Sequence, residues 1–147
     1  MKDNFSVING ERVLKETVSV VFKTDLEGVI TYVNKAFIDI SGFGMEELIG
    51  VSHNIVCHPD MPEVVFQHMW ATLRTGKPWQ GIIKNRCKDG AYYWVVTNVI
   101  PLYEDNRIAS YMSFGLKPTQ QQIEAAVRFY QEINEHGEYG IKLKGVV

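Results

Sequence analysis

Three β-rich runs follow one another in the second half of the chain with only short turns between them: Trp79–Cys87, Ala91–Leu102 and Ile108–Leu116. The breaks, Lys88-Asp-Gly90 and Glu104-Asp-Asn-Arg107, carry the residue types that hairpin turns demand. Strands joined this way lie antiparallel, because parallel neighbours need a crossover of a dozen residues or more. Two shorter runs, Val18–Lys23 and Val29–Val33, flank Leu26-Glu-Gly28 and read as a further hairpin. A two-stranded ribbon alone is marginal in water, so these strands must join the other three. The expected class is α+β: a five-stranded antiparallel sheet with short helices packed on one face.

The helices are short and well punctuated. Asn34 caps Lys35–Ser41, whose Ala36, Phe37 and Ile40 share one side, and Gly42 stops it; Met45–Leu48 is a further turn ended by Gly50. The next stretch, His53-Asn-Ile-Val-Cys-His-Pro-Asp-Met-Pro62, gathers two imidazoles, a thiol and a carboxylate between two prolines. Pro59 and Pro62 fix their own φ and keep His58 and Met61 off helical angles, so residues 58 to 61 form a rigid elbow. Asp60 is placed to cap a helix from Met61 to Leu73, with Val64, Val65, Met69 and Leu73 near helical period. Pro118-Thr119 opens a helix from Gln120 to Glu135 that lies outside the sheet as a connector. Residues 1 to 17 read as a flexible start passing into a short helix, serving as a cap or dimer contact.

Composition narrows the function classes. At 147 residues and 46% hydrophobic, the chain suits one domain with a real core. A net charge of -2, from 15 basic against 17 acidic residues, leaves no electrostatic footprint for nucleic acid. No apolar run spans a bilayer and Met1-Lys-Asp-Asn lacks a secretory signal's core, so no membrane contact by this segment and a cytoplasmic location are expected. Two cysteines, Cys57 and Cys87, give neither a disulfide framework nor CxxC spacing. There is no nucleophile–base pair, Gly-rich phosphate loop or catalytic carboxylate pair, and no enzyme activity is expected.

Period two sorts the strand residues. Trp79, Gly81, Ile83, Asn85 and Cys87 share the inner face with Tyr93, Val95, Thr97 and Val99; Tyr111, Ser113 and Gly115 complete it, with Gly115 leaving room in the core. Asn85 thus points into apolar surroundings, and its amide needs either a neighbouring loop or a ligand edge. Lys84 and Arg86 alternate with it onto a solvated face, and Trp94 falls on the outer face. His68 and His136 read as solvated helix positions and Trp70 as a packing residue. His53, His58 and Asp60 are metal-ligand types without a convergent fourth ligand, so no metal is expected, although either imidazole could hold a haem axially.

Phe22, Thr24-Asp25, Gly28, Ile30, Val33-Asn34, Ala36-Phe37, Ser41-Gly42-Phe43 and Glu47-Leu-Ile-Gly50, followed by Asn85-Arg-Cys-Lys-Asp-Gly90 and Tyr93-Trp94, resemble a PAS domain over residues 18 to 118. Within that fold, His53-Asn54, His58-Pro-Asp-Met-Pro62, Met69-Trp70, Pro78-Trp79, Gly81 and Lys84-Asn85-Arg86 resemble the N-terminal sensor of aerotaxis transducers. The resemblance implies an N-terminal cap (1–17), a PAS sensor domain (18–118) and a connector (119–147). It further implies non-covalent FAD between the sheet and the elbow helices. Trp79 and Asn85 match flavin-linked positions and His58 and Asp60 match elbow positions the site needs; the full candidate set adds His53, Asn54, Cys57, Trp70 and Ile83. Cys57 departs from the motif, which commonly carries Arg before His-Pro-Asp, and so removes a cationic fork. The implied role is a redox or oxygen sensor, homodimeric, signalling to the chemotaxis region of the same or a partner receptor, with the full-length protein membrane-anchored. A haem-binding gas sensor and a cofactor-free dimerisation module are the alternatives. The related LOV photoreceptors place their reactive thiol where this chain has His53, with Cys57 expected to lie elsewhere, and carry an amide and a glutamine where this chain has Val95 and Gly115.

Overall fold

In the computed structural model, which describes residues 4–136, the chain runs β1 (Phe5–Ile8), β2 (Glu11–Leu14), β3 (Val20–Thr24), β4 (Ile30–Val33), α1 (Lys35–Ser41), α2 (Met45–Leu48), a 3-10 turn (His53–Val56), α3 (Glu63–Arg74), β5 (Trp79–Arg86), β6 (Tyr92–Glu104), β7 (Arg107–Leu116) and α4 (Gln120–His136). Five strands form the antiparallel sheet that the turn chemistry requires, in the order β5-β6-β7-β3-β4. The β6–β7 turn has Asp105 and Asn106 at φ 53° and 65°, the left-handed pair that matches strand twist in a two-residue loop.

The N-terminus departs from expectation. Instead of a short helix, residues 5–14 form a hairpin, with Asn9 and Gly10 at φ 52° and 82°. Asn-Gly is the strongest short-range hairpin signal, and it outweighs the weak helical reading of the flanks. The hairpin extends the sheet to seven strands through a parallel contact of Glu11 with Tyr92. Arg12 clamps it in place: its guanidinium donates to the Ile40 carbonyl at the end of α1 (2.6 Å), pairs with Asp89 in the β5–β6 turn (2.7 Å) and lies over the Phe5 ring.

Helices α1 to α3 cover one face of the sheet, where Phe37, Ile40, Leu48, Val65 and Leu73 are fully buried. Helix α4 lies across the other face. It begins with a reciprocal cap between Thr119 and Gln122, and it buries Ala126, Tyr130 and Ile133 against β5 and β6. The described part of α4 ends at His136, and the remainder of the connector, residues 137–147, lies outside the described residues. Among the described residues no helix is long and apolar enough to cross a membrane.

Asn34 ties the layers together. Its Oδ1 accepts from the Phe37 and Val21 backbone N–H groups and its Nδ2 donates to the Ser19 carbonyl, so one side chain caps α1 and anchors it to β3. Asn34→Ala removes all three bonds, and the expected loss is about 2 kcal/mol of unfolding free energy, read as a lower denaturation midpoint at unchanged slope.

Candidate cofactor site

Strand alternation aims Ile83, Asn85, Thr97, Val99, Tyr111 and Ser113 at the helical layer, with Phe22 and Thr24 at one margin. From the opposite side come His53 and Cys57 at the two ends of the 3-10 turn, and Phe66, Met69 and Trp70 from one face of α3. These residues enclose a cavity of about 50 Å³. The walls are apolar; hydroxyls, an imidazole and a carboxamide interrupt them.

Asn85 is nearly buried, at 9% exposure, and its Nδ2 donates to the hydroxyl of the fully buried Tyr93 (3.1 Å). With Nδ2 engaged, Oδ1 is the end of the amide left for the cavity. The backbone at Asn85 bridges to Cys57 in antiparallel fashion, and the Lys84 N–H meets the Met61 sulfur at 3.5 Å. The elbow is therefore stitched along the outer edge of β5, and that sets its height above the sheet.

The predicted residues separate into two groups. His53, Cys57, Trp70, Ile83 and Asn85 line the cavity together. Asn54 and His58 lie in an outer groove between the turn and α3, and Asp60 faces α4. Trp79 is buried but absent from the lining: its ring folds over Gly81, where a Cβ would collide with it, and its indole N–H donates to His68 Nδ1 (3.0 Å). His68, read as merely solvated, is thus the acceptor that orients Trp79.

Several other readings change. Asp60 does not cap α3, which starts at Glu63 behind Pro62; its carboxylate binds Lys84 Nζ at 2.9 Å. Lys84 is not on a solvated face, since its ammonium sits between Asp60 and the rings of Tyr92 and Trp94. Gly115 opens no space, because Val95 fills the position its Cβ would take. Cys57 reaches the cavity rather than lying away from it. Sequence periodicity missed Phe66 and Thr24, although Phe66 sits one turn before Trp70 on α3, and that spacing could have shown it.

Burial lowers the His53 pKa and pushes the Cys57 thiol up to about 11, so the site holds a neutral imidazole and a protonated thiol at neutral pH. His58 is lowered by burial first, then by the nearby Lys84 charge. Among the described residues no three His, Cys, Asp or Glu side chains converge as a metal site.

This lining suits a planar heteroaromatic ring: apolar residues for its faces, and Asn85, Thr24, Tyr111 and Ser113 for its polar edge. The volume does not yet admit one, being several-fold below the ~300–1,000 Å³ of ligand pockets.

A sheet of this order with helices over one face and a polar-edged cavity beneath them is the PAS arrangement, and residues 30–114 match the PAS fold family. The chain belongs to that family and is a PAS sensor domain. Among its relatives, it is 41% identical over 121 residues to the aerotaxis receptor of Escherichia coli (strain K12), which covers 82% of this chain and 24% of the receptor. The chain thus spans about a quarter of that receptor's length. The PAS domain of a Colwellia psychrerythraea protein superposes with a TM-score of 0.64 at 24% identity, covering 71% of this chain and 91% of that one. The light-state LOV domain of the blue-light photoreceptor Aureochrome1 gives 0.67 at 17% identity, covering 74% and 88%. Both structural likenesses speak for the fold.

Because His53 and His58 both have folded pKa values below the ordinary 6.5, the unfolded chain binds more protons than the native one as pH falls through that value. Stability is therefore fully present above 6.5 and is lost on acidification through the lowered native values. The urea midpoint should fall between about pH 7.5 and about pH 5.5, and His53→Gln should flatten part of that slope.

Proposed function

We propose that this domain is a cytoplasmic redox or oxygen sensor that holds FAD non-covalently and signals to a chemotaxis-type transducer, as a homodimer. The observation that carries this reading is the cavity of apolar walls with the Asn85 carboxamide at its edge, in a chain so similar to an aerotaxis receptor. The sensor would be residues 18–118, with the N-terminal hairpin as cap and α4 as connector. Asn85, Thr24, Tyr111 and Ser113 would take the ring's polar edge, and Ile83, Val99 and Met69 its faces. A bound flavin supplies reversible electron uptake.

The chain's own residues offer a route out of the cavity. Asn85 is held by Tyr93 on one side and is joined through its backbone to the elbow on the other. The next elbow residues carry Asp60, whose side chain grips Lys84 and whose carbonyl accepts from Asn134 of α4 at 3.0 Å. The Tyr130 hydroxyl donates to the Ile82 carbonyl on the same strand. A change of hydrogen bonding at Asn85 is thereby two short steps from α4. One such bond is worth roughly 0.5–1.5 kcal/mol, enough to shift populations several-fold without a complete switch.

Purified protein should be yellow and release intact FAD on denaturation; a haem spectrum, or a colourless protein that takes up no added FAD, would overturn the reading. Asn85→Ala should weaken FAD binding by about tenfold or abolish it, measured by equilibrium titration. Blue light should give no reversible bleaching, since His53 stands in the LOV thiol's place and Cys57 is at the cavity's other end of the turn. Bleaching that recovers in the dark and disappears in Cys57→Ala would refute this.

A further inference from the structure

Trp70 stands between two spaces. Together with Cys57 and Phe66 it borders the inner cavity of about 50 Å³ and an open outer groove of about 530 Å³ between the 3-10 turn and α3. Of the three side chains that the two linings share, it is the largest. On the inner side it meets Tyr111 and His53 edge-on, each at 5.5 Å between centroids. On the side of the β3–β4 turn it is backed by Gly28, where an added Cβ would come within 3.2 Å of Trp70 Cζ2. That backing blocks displacement toward the turn and leaves the groove as the free direction.

The ring is also lightly held. Trp79 has its indole N–H fixed on His68, whereas no hydrogen bond among the described residues engages that of Trp70. Moving it breaks two edge-on aromatic contacts and strands no hydrogen-bonded polar group. We infer that Trp70 is the gate of the cavity: its side chain occupies part of the ring site, and swinging it toward the groove merges the two spaces into one that admits a tricyclic ring. The inference rests on the flavin reading and adds to it the residue that controls admission.

The test is uptake of FAD, and of the tailless ring lumiflavin, by ligand-free protein in a stopped-flow fluorimeter. In the native protein the observed rate should level off with rising flavin, because the open state must form first. Trp70→Ala should restore a linear dependence and raise the rate about tenfold or more for both ligands, with Trp70→Phe between, since the gate acts on the ring rather than the tail. Circular dichroism melts confirm that each variant is folded. Equal, linear uptake by native protein and Trp70→Ala, with only faster release in the variant, would show Trp70 to be a wall and overturn the gate while leaving the flavin reading intact. Failure of native protein and both variants to bind either ligand would instead overturn the flavin reading, and the gate with it.

Discussion

Strand β5 lies at the edge of the sheet, and its outward backbone groups have no strand to pair with. A row of such groups beneath packed helices must find partners or carry a heavy desolvation cost. Three different partners meet that demand: Tyr130 for the Ile82 carbonyl, the Met61 sulfur for the Lys84 N–H, and Cys57 in a one-residue bridge to Asn85. The elbow and α4 are thus drawn to the same eight-residue strand, one from each face of the sheet. The cavity exists because the elbow is pinned at the edge and spans inward from there to α3.

The polar contacts beyond that edge are of unequal weight. The Lys84–Asp60 pair joins a mostly buried ammonium to an exposed carboxylate, and solvent on the Asp60 side discounts its Coulomb energy. Its value is geometric. Lys84 also lies over Tyr92 and Trp94, so the pair fixes the elbow relative to two rings on the adjacent strand. By contrast the Asn85–Tyr93 bond is fully desolvated, and leaving either group unpartnered would be costly.

Local chemistry made much of this legible. Asn34 and Gly42 mark the ends of α1, and Asp-Gly and Asp-Asn mark the hairpins; each signal acts over a few residues and so survives in sequence. The inner face of β5, β6 and β7 followed from alternation alone, which brought Ile83, Asn85, Thr97, Val99, Tyr111 and Ser113 together correctly. What stayed hidden depends on partners distant in sequence. Lys84 looked solvated because alternation places it outside, yet α4 and the elbow roof that side. Asp60 has a capper's chemistry but meets an ammonium 24 positions away. Trp79 and His68 are 11 apart on different elements, and no periodicity links them. The Asn9-Gly10 turn was the exception, a local signal present in the sequence and outvoted by its polar surroundings.

The burial that raises both Cys57 and Cys87 to about 11 has a bearing on chemical noise. Peroxides and disulfides react with thiolates, and at neutral pH only about one in ten thousand of either side chain would be in that form. Thiols held in the protonated form by burial are poor targets for oxidants that act on sulfur. Cys57 at the cavity wall and Cys87 in the buried core are thereby kept from a slow and poorly reversible sulfur chemistry of their own.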